Sequence, residues 1–227
     1  MSCKQKKAIS VFGLAATVVI ALVIAGNAHA AAIDVLVGDK NGFGLGCSDT
    51  GSCAGLSSPP IDNRTAGEIA AANGAQFTDV YSALCPGCGP NTVSAGDILL
   101  PFSGTLLSGT LSFAAGDFQS DVFGSFSANI NGTSVPFSFP DGRFVTAIHS
   151  FTLTAGELAA ANAAGQVDLH LDRGSSGDWV SFDWFELTGT TTSAVPEPGS
   201  ISLLGIALGA LAFTQRLVNR GSGHFRE

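Results

Sequence analysis

Apolar and polar residues alternate with a period of two through most of the middle of the chain. That period turns one face of an extended strand toward a core and the other toward solvent. Residues 33–37, 76–81, 98–102, 105–113, 125–130, 134–139, 147–153, 167–172 and 180–187 are thereby predicted as nine short strands. Asn131-Gly132 separates two of them, and both residues tolerate the positive φ of a type I′ hairpin turn. Helical spacing occurs twice, in 65–74 and 154–165, each opened by a Thr-x-x-Glu capping box (Thr65/Glu68 and Thr154/Glu157) and closed by glycine. A parallel α/β fold needs a longer helix between successive strands, and these are missing. The pattern therefore predicts an all-β fold, a jelly-roll-like antiparallel β-sandwich with two short helices.

The two ends break the alternation. Lys4, Lys6 and Lys7 precede an apolar stretch over 8–25, and Ala28 and Ala30 follow it. A basic start, an apolar helix and two small residues predict a secretory signal peptide over 1–30, cut by signal peptidase after Ala30; an uncleaved anchor is the alternative. At the other end an apolar run from Gly199 to Phe213 is followed by Arg216, Arg220 and Arg226. Gly199 to Val218 is near the length of a transmembrane helix, though Gln215 and Arg216 shorten its apolar core. Its arginines would hold the end on the cytoplasmic side. The expected organisation is signal peptide 1–30, β-sandwich 31–187, a Gly/Thr/Ser linker 188–194, and a membrane-directed tail 195–227.

Removing both ends changes the charge. Between Ala31 and Ala194 sixteen Asp and Glu face only Lys40, Arg64, Arg143 and Arg173, a net of −12 against −8 for the whole chain. Such a body repels phosphate backbones, which argues against a nucleic-acid partner. Four cysteines remain after the signal, Cys47, Cys53, Cys85 and Cys88. In an exported chain they predict disulfides, and the local pairing Cys47–Cys53 with Cys85–Cys88 is preferred among three. Gly89-Pro90 follows the Cys-x-x-Cys where a redox motif would open a helix, and the spacing of Cys47 and Cys53 is wide for a zinc knuckle.

Candidate chemistry gathers weakly at two places. Asp39, Asn41 and Gly42 lie in a glycine-rich loop and match the start of a calcium loop, but Thr50 stands where the twelfth-position Glu would be. A plain Asx/Gly turn and a Ca²⁺ site completed by a distant carboxylate both fit. The other place is the closing strand, where Asp183, Phe185 and Leu187 share one face and Phe182, Trp184 and Glu186 the other. A carboxylate among apolar neighbours needs Arg173, backbone donors or a cation as partner. His149 and His170 alternate on strands, and neither a Gly-x-Ser-x-Gly elbow nor a His-Glu-x-x-His helix occurs. Asp172, Asp178, Asp183 and Glu186 could supply a glycosidase pair, yet nothing selects two of them. The expectation is a protein that is not an enzyme, with a secreted glycan hydrolase as the lesser alternative.

Val195-Pro196-Glu197-Pro198, the apolar helix and the arginines, Arg216 and Arg220 among them, resemble in that order the PEP-CTERM sorting signal. The resemblance implies export from a Gram-negative bacterium and recognition by an exosortase-type enzyme. It also implies a transient or permanent stay in the membrane, and residence in a cell envelope or matrix rich in extracellular polysaccharide. The basic end here is longer and looser than the signal's usual one. Asp183-Trp184-Phe185-Glu186-Leu187 is similar to the last strand of galactose-binding-like carbohydrate modules. That likeness implies a structural Ca²⁺ shared between Asp183 and the Asp39/Asn41 loop, and stacking of a sugar on Trp179 or Trp184. The first strand lacks the Glu-x-Glu pair of those modules. A structural or adhesive surface protein without a specific ligand is the competing expectation.

Overall fold

The computed structural model describes residues 29–56, 62–72, 77–81, 84–87, 93–193 and 205–211. Its strands are β1 (His29–Gly38), β2 (Gly51–Ser52), β3 (Ala95–Pro101), β4 (Thr105–Gly116), β5 (Ser127–Ile130), β6 (Thr133–Val135), β7 (Val145–Thr152), β8 (Gln166–Asp172) and β9 (Ser181–Ser193). The helices are α1 (Ala66–Ala72), α2 (Ser120–Phe123) and α3 (Ala155–Ala164), with one helical turn at Gly42–Gly46. The strands form a five-stranded sheet, β1-β9-β4-β7-β2, and a four-stranded sheet, β3-β8-β5-β6. The β2/β7, β4/β7, β4/β9, β3/β8, β5/β8 and β5/β6 pairs are all antiparallel.

The alternation seen in the sequence is what builds the sandwich. Ile98 and Leu100 of β3, Val167, Leu169 and Leu171 of β8, and Ala128 and Ile130 of β5 form one wall. Leu111, Phe113 and Ala115 of β4 and Phe182, Phe185 and Leu187 of β9 form the other, all in one buried cluster. Phe113 lies at its centre, 5.2 Å from the Phe137 ring and 5.7 Å from Phe185. The hairpin turns at Asn131 and Gly132, with φ of 47° and 84°. Thr154 and Glu157 close a capping box on α3, and Gly165 ends it in the left-handed region, φ 72°. A second apolar cluster, with Phe43, Leu56, Tyr81, Ala114 and Trp184, lies on the other side of β4 and β9. The loop carrying the Cys47–Cys53 disulfide packs against it.

Several expectations need correction. Of the strand expected at 76–81, the described residues 77–81 form none: Phe77 and Asp79 have φ of 55° and 56°, and isolated bridges join Thr78 to Phe182 and Asp62 to Val80. Their apolar pattern is real but serves two clusters at once, since Phe77 and Val80 join the main core and Tyr81 the second. The linker expected at 188–194 is mostly strand. Residues Thr188, Gly189, Thr190, Thr191 and Thr192 pair with β4, as the β-branched threonines favour. Strand β6 is shorter than residues 134–139, and β2 and α2 were not anticipated.

Residues 30–192 form one compact unit. Ala30 is the second residue of β1, while Ala28, Cys88, Val195, Pro196, Glu197, Pro198, Arg216 and Arg220 lie outside the described residues. Residues 1–28 of the expected signal peptide fall there too. Of the tail, 205–211 is a short helix with exposed Ile206, Leu208 and Leu211. Among the described residues no helix is long and apolar enough to cross a membrane.

Candidate functional site

The closing strand does not keep strict alternation. Phe113 pairs with Phe185 and Ala115 with Phe182, so β9 spends one more residue than β4 across this step. That β-bulge lets Phe182 and Phe185 both enter the main core and sends Trp184 into the second cluster. It also turns Asp183 into a fully buried position, 0% exposed.

Asp183 is satisfied there by the glycine-rich loop. Phe43 N–H donates to Oδ1 at 2.8 Å and Gly42 N–H to Oδ2 at 3.2 Å. Aiming two successive amides at one carboxylate requires unusual backbone, and Phe43 (φ 60°) and Gly44 (φ 64°) are both left-handed. Asn41 supports the turn by accepting from Gly44 N–H. Gly38 must be glycine, because a β-carbon at its φ of 80° would lie 2.5 Å from the Asp183 carbonyl oxygen.

Two further carboxylates reach the same point. One oxygen each of Asp39, Asp79 and Asp183 lie within 4.8 Å of one another. Asp79 is fixed by its own backbone, whose N–H donates to Phe182 O at 2.7 Å and whose carbonyl accepts from Asn63 N–H at 2.8 Å. Its side chain accepts from Asn41 Nδ2 at 3.3 Å. Burial and then the neighbouring Asp49 raise the Asp183 pKa to about 7, against the lowering effect of the Phe43 amide and Asp79. The donor set is three hard carboxylate oxygens, buried or half-buried and carried on three separate segments. That set fits Ca²⁺, which takes oxygen ligands and tolerates irregular geometry.

A cleft of about 550 Å³ opens beside the second cluster, lined by Trp179, Phe144, Phe123, Arg143, Gln119 and Gly177, with Tyr81 and Asp117 at its base. Asp117 organises it. Its carboxylate accepts from the Tyr81 hydroxyl, from Phe144 N–H at 2.8 Å and from Gln119 Nε2 at 3.2 Å. Burial raises the Asp117 pKa, and burial together with the Asp117 contact pushes the Tyr81 phenol well above its ordinary range. Behind the lining, Asp178 accepts from Gln119 N–H at 2.6 Å and from Trp179 N–H at 3.0 Å. Burial raises its pKa to about 6. Tyr81 meets the Trp179 indole edge-on at 6.0 Å, and the Arg143 guanidinium lies 4.6 Å over Phe144.

The structure thus brings Asp39 and Asp183 together. It adds Asp79 and makes Asn41 a support of the turn that hydrogen-bonds Asp79. Asp79 escaped sequence reasoning because it sits in a segment read as a regular strand; its positive φ has no marker in an Asp. Trp179 is half-buried and lines the cleft. Trp184 is 3% exposed, with Nε1 donating to Asp49 at 3.4 Å and Lys40 4.6 Å over its ring, so it offers a sugar no open face. Cys47 and Cys53 are joined, their Cα atoms 5.5 Å apart, and Cys85 is also disulfide-bonded. The carboxylates weighed for hydrolysis are scattered. Glu186 pairs with Lys40, Asp172 caps the Gly174 turn at 2.8 Å, and both oxygens of Asp178 and of Asp183 hold backbone amides.

No family profile and no curated relative matches the chain. Parts of it are similar to parts of larger solved structures. One is dimeric latent PorU from Porphyromonas gingivalis, at 17% identity and a TM-score of 0.30, covering 44% of this chain and 10% of that one. The GH26-CBM35 β-(1,4)-mannanase of Podospora anserina gives 18%, 0.28, 46% and 20% in the same order. The isomalto-dextranase of Arthrobacter globiformis T6, complexed with panose, gives 14%, 0.27, 48% and 18%. The chain thus spans at most a fifth of the length of these structures, and the resemblance at this level leaves the site to be argued from its own geometry.

Proposed function

We propose that this chain is an exported protein, sorted through its C-terminal motif to the cell envelope or extracellular matrix, where its sandwich associates with extracellular polysaccharide. The observation that carries the exported part is the Cys47–Cys53 disulfide, because such bonds persist in oxidising compartments and are rare in the cytosol. A net charge of −12 between Ala31 and Ala194 agrees with a soluble body displayed outside the cell. In this reading signal peptidase cuts after Ala30 and an exosortase-type enzyme acts at Val195-Pro196-Glu197-Pro198. The chain passes back and forth between its two sheets, which supports a jelly-roll assignment of the sandwich. Ca²⁺ is assigned to Asp39, Asp79 and Asp183, where it would tie β1, the segment 77–81 and β9 together.

Intact mass of the mature protein from its native host tests the route. The expected species begins at Ala31 and lacks Arg216 to Glu227. A species beginning at Met1, or one that retains the arginines, overturns cleavage or processing respectively. Retardation of the purified protein in gels containing polysaccharide tests the association, and free migration through all of them would favour a structural or adhesive role without a ligand.

A further inference from the structure

Resting on the polysaccharide reading above, we infer that the cleft around Trp179 is the binding site and that its ligand is a neutral pyranose unit of a glycan chain. The volume of about 550 Å³ lies within the range of small-molecule sites. Its walls combine two kinds of surface that a sugar ring needs. Trp179, Phe144 and Phe123 offer aromatic surface to the apolar C–H face of a pyranose, and Gln119 offers its side-chain amide to its hydroxyls. These groups are held in place before any ligand arrives. Asp178 holds the Trp179 and Gln119 backbones, Asp117 holds the Gln119 side chain and the Phe144 amide, and Tyr81 braces the indole.

Two strained residues lie at this cleft, as others do at the Asp183 joint. Asp117 and Phe144 adopt φ of 64° and 59°, a region that costs non-glycine residues free energy and that clusters at binding sites. An ordinary apolar core needs no such opening. Phe123, 43% exposed, extends the aromatic surface outward from the cleft, as a site for a chain rather than a small enclosed molecule requires.

Charge selects the class. Asp117 lies at the base of the cleft and Asp178 behind it, while Arg143 is the one cation among the lining residues. Arg143 is already engaged with Phe144 and with the Asp117 charge. A uronate or sulfated sugar would be repelled by Asp117 in the cleft and by a body of net −12, and a neutral one would not.

Affinity electrophoresis of the full mature chain, in native gels containing neutral polysaccharides (glucan, galactan, mannan, xylan) or acidic ones (alginate, pectate), tests this. The wild type is expected to be retarded by at least one neutral polysaccharide. Trp179→Ala and Phe123→Ala are expected to weaken that by about tenfold or more, with melting of Phe123→Ala unchanged because its ring is partly exposed. Wild-type binding that both variants retain moves the site elsewhere and overturns the inference while leaving the polysaccharide reading intact. Retardation by acidic polysaccharides alone overturns the ligand class. No retardation of the wild type in any gel overturns both the inference and the reading it rests on.

Discussion

Asp178-Trp179 and Asp183-Trp184 are the same dipeptide, repeated five residues apart, and the fold uses the two copies differently. In both, the aspartate is buried and holds two backbone amides. In the first copy the aspartate lies before β9 starts and its tryptophan is left partly exposed on a cleft. In the second the β-bulge carries the aspartate inward to two other carboxylates and seals the tryptophan beneath Lys40. The difference teaches that residue type sets what each position can do, and strand geometry decides which of those things it does. One dipeptide becomes a surface for a ligand and the other a joint between segments.

The largest expected effect separates the two tryptophans. Trp184→Ala would empty a buried site in the second cluster and is expected to destabilise the protein by about 3–5 kcal/mol in denaturant unfolding. Trp179→Ala is expected to cost less, about 1–2 kcal/mol, since its indole is only partly buried. Equal losses would break the distinction between packed and presented indoles. Next comes Asp183→Ala, which leaves the Gly42 and Phe43 amides buried without their acceptor and is expected to cost about 3 kcal/mol. A loss under about 1 kcal/mol would mean that the loop finds another acceptor, and that the joint is not built around Asp183.

Much of this was legible in the chain and some was not, for identifiable reasons. The strands of the core announce themselves through alternation, and the helix Ala155–Ala164 through Thr154, Glu157 and Gly165, because those signals are local. A carboxylate in an apolar strand marks Asp183 as needing a partner, and only the likeness to galactose-binding-like modules joins it to the Asp39 loop. Asp79 could not be placed with them, because the left-handed turns at Phe77 and Asp79 are imposed by packing against β9 and mimic a strand pattern in sequence. The bulge is likewise silent: nothing in Phe182-Asp183-Trp184-Phe185 says where the extra residue falls. The cleft is harder still, since Tyr81, Asp117, Gln119, Phe144 and Trp179 come from four distant parts of the chain.

A smaller effect sharpens the comparison by cation. If Ca²⁺ ties the joint, Ca²⁺ at about one hundred times its dissociation constant is expected to stabilise the folded protein by about 2.7 kcal/mol. In a domain of this size that is a rise of several degrees in Tm, reversed by EDTA. Asp183→Asn is expected to abolish the rise and Asp178→Asn to leave it. An unchanged melt in the wild type removes the ion, and a response lost equally in both variants would place it elsewhere.

The smallest effect is a difference in pH dependence. Burial raises the pKa of Asp183 from 3.8 to about 7 and of Asp178 to about 6. A carboxyl whose folded pKa lies above its unfolded one takes up its proton more readily when folded. Its contribution to stability is therefore fully present below the unfolded pKa and is lost as pH rises through the folded one. In EDTA, the Tm of the wild type is expected to decline relative to that of Asp183→Asn as pH rises from about 4 through about 7, because the asparagine has no proton to lose. The corresponding decline relative to Asp178→Asn should finish lower, near pH 6. A bound cation favours the ionised joint, so Ca²⁺ is expected to flatten the first difference and leave the second, whose carboxylate is held by the Gln119 and Trp179 amides and feels the charges of Asp117 and Arg173. Two differences of the same midpoint, both unmoved by Ca²⁺, would mean that the bulge makes no electrostatic distinction between the two aspartates.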